Sequence, residues 1–208
     1  RRKLQVELTI RDVFTYTTIN SLGTHVEAQN KGNLLPEVVV QDRPEKIPLS
    51  FSQERLWFLD QLQGSVEYNM PFALSLSGDL NVEALSKSLQ GVLNRHEVLR
   101  TVVYEEDGVA YQKVLPAENW ELSIQKENDD ESAMKEDLKS FLSAPFNLST
   151  DYMLRSRLYD LGVGNSGNNE YILAVVFHHI SSDGWSHGIL LNDLMALYGV
   201  YATGRAAE

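Results

Sequence analysis

Cysteine is absent from the 208 residues. Its absence removes disulfides, thiolate metal ligands and a cysteine nucleophile, and makes a cytoplasmic address the expectation. Basic residues are scarce, with 18 Lys and Arg against 29 Asp and Glu and a formal charge of −11. Nucleic-acid affinity comes from clustered cations, and the one cluster here, Arg1-Arg2-Lys3, is too short, so no nucleic-acid partner is expected. Long hydrophobic runs are missing too. The longest covers residues 171–177, far below the roughly 20 residues that cross a bilayer, so no membrane span is expected. The chain opens on Arg1, with neither an initiator methionine nor an apolar targeting core, and reads as a piece of something larger.

A hydrophobic content of 43% is enough for one substantial core plus a small appendage. The appendage is the first segment: Leu4, Val6 and Leu8 alternate, and helix-like stretches follow at 10–14 and 17–26. Residues 28–48 then shift to Asn, Gly, Pro and charge around Val38-Val39-Val40, as a linker does, which places a boundary near residue 45.

Beyond Pro48, Ser50 or Ser52 caps an expected helix over 53–63 with Leu56, Phe58, Leu59 and Leu62 as its apolar face. Phe72, Leu74 and Leu76 alternate as a strand closed by Gly78-Asp79. Asn81 caps a helix whose Val82, Leu85, Leu89, Val92 and Leu93 share one face. Residues 99–104 and 109–114 flank Glu105-Glu106-Asp107-Gly108 and predict a β-hairpin. A strand at Leu122 and Ile124 follows, then a helix from the acidic stretch 127–131 to about Leu142, stopped by Pro145. Strand character resumes at Leu154 and Leu158. Residues 171–179 are apolar on both faces and belong in the middle of a sheet. A final helix over 185–201 presents Ile189, Leu190, Leu194, Leu197 and Tyr198 to the core. The mixture predicts an α/β layered sandwich.

Chemistry concentrates in Phe177-His178-His179-Ile180-Ser181-Ser182-Asp183-Gly184-Trp185-Ser186, where a buried strand turns into a helix. Neighbours on a strand point to opposite faces, so His178 and His179 cannot both face one small cavity. One is chemical and the other architectural. Asp183 has two readings, a helix N-cap or an ion-pair partner, and the second needs a cation such as Arg95 or Arg100. Gly184 suits a positive φ or a close backbone approach, or an ordinary turn. A metal site needs more ligands than this cluster offers, even with His187.

Three separated motifs carry a family resemblance. Leu49-Ser50-Phe51-Ser52-Gln53-Glu54-Arg55-Leu56-Trp57-Phe58-Leu59, Arg95-His96-Glu97-Val98-Leu99-Arg100-Thr101 and His178 through Ser186 resemble, in order, the first three motifs of nonribosomal peptide synthetase condensation domains. The match covers about residues 46–208, one lobe of a fold that resembles chloramphenicol acetyltransferase. Residues 8–19 are similar to the last helices of a peptidyl carrier domain. The division implied is a carrier remnant over 1–28, a linker over 29–45 and an N-terminal condensation lobe over 46–208.

By that resemblance, the amine of an acceptor aminoacyl thioester attacks a donor thioester in secondary-metabolite assembly. His179 is the catalytic candidate, while His178, Asp183 and Gly184 shape the loop. Arg95 is expected to form a buried ion pair with Asp183, with Arg100 as further support. No cofactor is bound directly, because substrates arrive on phosphopantetheine arms. The partners implied are upstream and downstream carrier domains, an adenylation domain in the same synthetase, and a C-terminal lobe that this chain lacks. The order of domains resembles the type that accepts an L-configured donor, and the chain alone is expected to be inactive. An epimerization domain and a carrier-docking module without chemistry are the rival readings.

Overall fold

The computed structural model describes residues 8–28, 39–126, 131–164 and 167–204. The expected Leu4 and Val6 alternation, most of the 28–48 linker and most of the acidic stretch at 127–131 lie outside them. The chain divides into two units, Arg1–Arg43 and Pro44–Glu208.

In the first unit, α1 (Ile10–Thr15) starts at a capping box. Thr9 accepts the Asp12 N–H, and Asp12 accepts the Thr9 N–H. Helix α2 (Ile19–Ala28) returns His25 to the ring of Tyr16, 4.1 Å between centroids, and to Asp12 at 3.5 Å. No described residue of either helix is fully buried, so this pair has no core of its own.

The second unit begins with β1 (Ile47–Pro48) and α3 (Phe51–Gln63). Ser50, not Ser52, caps α3, accepting the Gln53 N–H at 3.3 Å. The chain then runs through β2 (Asn69–Ser77), α4 (Val82–Arg95), β3 (Thr101–Glu106), β4 (Val109–Val114), β5 (Ser123–Lys126), α5 (Glu131–Ser143), β6 (Leu154–Val163), β7 (Asn169–His178) and α6 (Gly184–Thr203). Among the described residues, one sheet has the order β1-β4-β3 and the other β2-β7-β6-β5. The β3–β4 hairpin turns on Asp107 (φ 53°) and Gly108 (φ 78°), two consecutive left-handed residues of the kind that match strand twist.

β7 is central, antiparallel to β2 and β6, and its alternation serves both faces of the sheet. Leu173, Val175 and Phe177 pack with Leu85, Leu89, Val92 and Leu93 of α4 and Leu190 of α6. Val176 faces the other way, toward Phe146, Leu148 and Met153, with Phe141 and Leu142 of α5 and Trp57 of α3 against them. Each large aliphatic side chain so buried contributes about 1.5 to 3 kcal/mol. α4 and α6 approach closely at Gly91, where a Cβ would come 2.9 Å from Leu197 Cδ1.

Two expectations about apolar faces fail. Phe58 and Leu62 of α3 are 57% and 65% exposed, and Ile189 of α6 is 58% exposed. These helices carry apolar residues around much of their circumference, so spacing alone does not mark the side that meets the sheet.

Candidate active site

The site forms where β7 ends. His178 closes the strand, with its side chain on the Val176 side of the sheet and 0% exposed. Its ring meets the Phe146 ring edge-on at 5.7 Å. Nδ1 accepts the Ile180 N–H at 3.1 Å and Nε2 lies 3.0 Å from Ser65 Oγ. Burial pushes its pKa down to about 4, only partly offset by Asp60, so the ring is neutral at pH 7.

His179 takes the opposite course. It is exposed, and its Nδ1 lies 2.7 Å from the Ser182 carbonyl. A carbonyl only accepts, so Nδ1 carries the ring proton and Nε2 holds the basic lone pair. The turn is tied back to β7, with the Ser181 N–H and Oγ–H both donating to the His178 carbonyl at 3.0 Å. His179 lines a recess of about 590 Å³ with Ser52, Arg55, Tyr68, Ser182 and Asp183. Ser182 is 7% exposed, and its Oγ has no hydrogen-bond partner among the described residues.

Asp183 is the N-cap of α6. It accepts from Ser186 N–H at 2.8 Å and Ser186 Oγ–H at 2.5 Å, and these bonds hold its carboxyl below the usual carboxylate range. The expected pair between Asp183 and Arg95 is not formed. Arg95 instead reaches Asp193 on α6, Nε to Oδ2 at 3.3 Å, where His96 Nε2 also lies 2.6 Å away. Three turns of α6 separate the two carboxylates, and the end of α4 lies beside the farther one. Arg100 donates to the carbonyls of Leu93 at 3.2 Å and Leu115 at 2.6 Å and pairs with Glu97, so it fastens the segment between α4 and β4.

Gly184 meets neither of the requirements expected of it. As the first residue of α6 it has no positive φ, and a Cβ there would meet nothing within 4 Å. The His187 ring packs between Phe72 and Phe177, at 5.6 and 5.5 Å. Among the described residues no group of three metal-ligating side chains exists, and no helix is long and apolar enough to cross a membrane.

Sequence reasoning did not pick out Ser65, Asp60, Tyr68 or Ser182 as site residues. Arg55 and Ser52 lie one turn apart on α3, inside the opening motif, which is the signal that marks them.

A family model described as Condensation domain matches residues 44–208. A probable non-canonical nonribosomal peptide synthetase of Salinispora arenicola is 35% identical over 100% of this chain and 3% of its own length. The dimodular nonribosomal peptide synthase of Bacillus subtilis is 35% identical over 100% of this chain and 8% of its own. Among solved structures, the X-domain from teicoplanin biosynthesis superposes with a TM-score of 0.69 at 31% identity, over 83% of this chain and 36% of that one. The starter condensation domain of rhizomide synthetase gives 0.68 at 20% identity over 79% and 40%, a likeness of fold. The chain thus spans under a tenth of these curated relatives and about two fifths of these solved chains.

Proposed function

Since the chain belongs to the condensation-domain family of nonribosomal peptide synthetases, we propose that its recess is part of an amide-forming acyltransferase centre in which His179 handles the proton. The acceptor amine attacks the donor thioester carbonyl, a C–N bond forms, the C–S bond breaks, and the donor carrier's thiol leaves. The attacking nitrogen must shed a proton and the thiolate must gain one. His179 Nε2 has the free lone pair for the first transfer, and its protonated form supplies the second. The observation that carries this reading is the Nδ1–Ser182 carbonyl bond, because it leaves a basic nitrogen on a side chain that lines an open recess.

A positioned base typically contributes about 10² to 10⁴-fold, and holding two reactants in a near-attack pose supplies up to roughly 7 to 11 kcal/mol. His179 serves both ends by binding the amine where it reacts. His178 is architectural, Asp183 starts α6, and Gly184 leaves its first turn unobstructed. Arg95 and Arg100 brace the end of α4.

Substrates arrive on phosphopantetheine arms from upstream and downstream carriers, loaded by an adenylation domain of the same synthetase, with no cofactor on this chain. Residues 1–28 are the end of the upstream carrier, 29–45 the linker and 46–208 the lobe, an arrangement that serves an L-configured donor. The lobe requires the rest of its domain for turnover, because Phe51, Phe58 and Leu62 of α3 and Trp185 and Ile189 of α6 leave apolar surface exposed.

The test is the complete domain with two loaded carriers, followed by mass spectrometry for dipeptidyl carrier. His179→Ala abolishes the product in a folded protein; near-normal yield removes His179 from the chemistry. Racemised donor without dipeptide points to epimerization. A second reading, a docking module without chemistry, is favoured by one observation: an X-domain from teicoplanin biosynthesis, 30% identical, was solved in complex with OxyB. Carrier binding without product from the unsubstituted domain is its signature.

A further inference from the structure

The segment joining α3 to β2 supplies the partner of the sealed imidazole. A ring nitrogen that accepts an N–H holds no proton, so the Ile180 N–H on His178 Nδ1 puts the ring's one proton on Nε2. Nε2–H therefore donates to Ser65 Oγ at 3.0 Å. Ser65 is 2% exposed, and its own O–H goes to Asp60 Oδ1 at 2.5 Å. The donors run in one direction, from ring to hydroxyl to carboxylate, and stop in the last turn of α3. Gly64, at φ +81°, makes the reversal that brings Ser65 back to Asp60, and its N–H donates to the Asp60 carbonyl at 2.9 Å.

We propose that Ser65 and Asp60 are positioning residues for the candidate active site, fixing His178 as the Nε2–H tautomer and thereby holding the turn on which His179 is oriented. With the proton on Nδ1 instead, the ring and the Ile180 N–H would be two donors facing each other, and the turn would have to open. That turn also contains the Ser181 bonds to the His178 carbonyl and, three residues after His179, the carbonyl that orients its ring. Neither Ser65 nor Asp60 lines the recess, so they act only through His178. The charged or titratable groups that act on the ring are Asp60 from α3, His179 beside it and Arg155 from β6. Asp60 favours the protonated ring, and the other two oppose it. The kinetic consequence rests on the amide-forming reading of the recess; the tautomer does not.

The experiment is nitrogen-15 NMR of the histidine rings in the whole chain at pH 7, run with Ser65→Ala, Asp60→Ala and Ser65→Thr. The unsubstituted chain should show His178 as a single Nε2–H population. Ser65→Ala should add a second ring population, Asp60→Ala a smaller share of the same, and Ser65→Thr, which keeps the hydroxyl, should add none. Should Ser65→Ala fail to fold, Asp60→Ala at its half-buried helix end carries the test. In the complete domain, Ser65→Ala should lower kcat about tenfold to a hundredfold with KM for the carriers unchanged, a part of the roughly 10² to 10⁴-fold that a positioned base contributes. A role confined to stability lowers the melting temperature and leaves the ring spectrum alone. A single Nε2–H population in every folded variant, or Nδ1–H in the unsubstituted chain, overturns the proposal. If the unsubstituted domain makes no amide while the tautomer changes as stated, the functional reading falls and this one stands.

Discussion

Helices α4 and α6 pack against one another on the same face of the sheet and use their side chains in opposite ways. α4, with 14 residues, has six of them fully buried. α6, with 20 residues, buries only Leu190, although Trp185, Ile189, Leu191, Met195 and Tyr201 are also large and apolar. The first helix is a stripe with a polar back, as a helix finished by one sheet should be. The second is apolar around its circumference, and α3, which also lines the recess, has no fully buried residue at all. The core of the second unit is therefore complete away from the recess and open beside it.

The largest effect that would break this contrast is on α4. Leu93 is 0% exposed in the main cluster, and Leu93→Ala should cost about 2 to 5 kcal/mol in denaturant unfolding. A loss below 1 kcal/mol would mean that α4 is no better anchored than α6. Next is the pH response of His178. Unfolded, its ring takes a proton near 6.5; folded, it does so only at about 4. The unfolded state binds more protons between those values, so stability should fall by roughly 3 kcal/mol as pH drops from 6.5 to 4 and be flat for this group above 7. His178→Gln should flatten that slope, and an unchanged slope would show that the sealed side of the site is not sealed.

A smaller effect belongs to the contact that ties the two helices together. Asp193 on α6 meets His96 and Arg95 at the end of α4, but Arg95 is 69% exposed in its side chain. Solvent screens that part, so Asp193→Ala should cost about 1 kcal/mol, and 1 M salt should recover part of the difference. A loss as large as that of Leu93→Ala would make the ion contacts, and not the core, the anchor of α6.

The parts of this architecture that were legible in the sequence are those with a local cause. The stripe of α4, its Asn81 cap and the Asp107-Gly108 turn each depend on neighbours within a few residues. The opposite courses of His178 and His179 were expected from strand alternation, although His179 lies in the turn just past the end of β7. The partners that were not legible are distant in the chain: Ser65 meets His178 across 113 residues, and no spacing rule connects them. Asp193 was missed for a related reason. A lone carboxylate on a mostly apolar helix gives no sign of its partner until the end of α4 is laid beside it, and the family motif drew attention to Asp183 instead. Ile189 was placed inside because an all-round apolar helix does not reveal which of its faces the sheet covers.

The smallest effect is the one that sharpens the contrast most. Phe58→Ser on α3 and Ile189→Ser on α6 remove apolar groups that are 57% and 58% exposed, so in this chain each should change stability by less than about 0.5 kcal/mol. In the complete domain the same substitutions should become costly, because a surface covered by the rest of the domain loses burial on both sides of the contact. The measurement is a pair of unfolding curves for each variant, one in each chain length. Equal effects in the two lengths would mean that these faces stay wet in the whole protein, and that the openness of α3 and α6 is a property of the finished surface. A penalty confined to the longer protein would mean that the recess is walled on its open side by the same contact, with His179 at its floor.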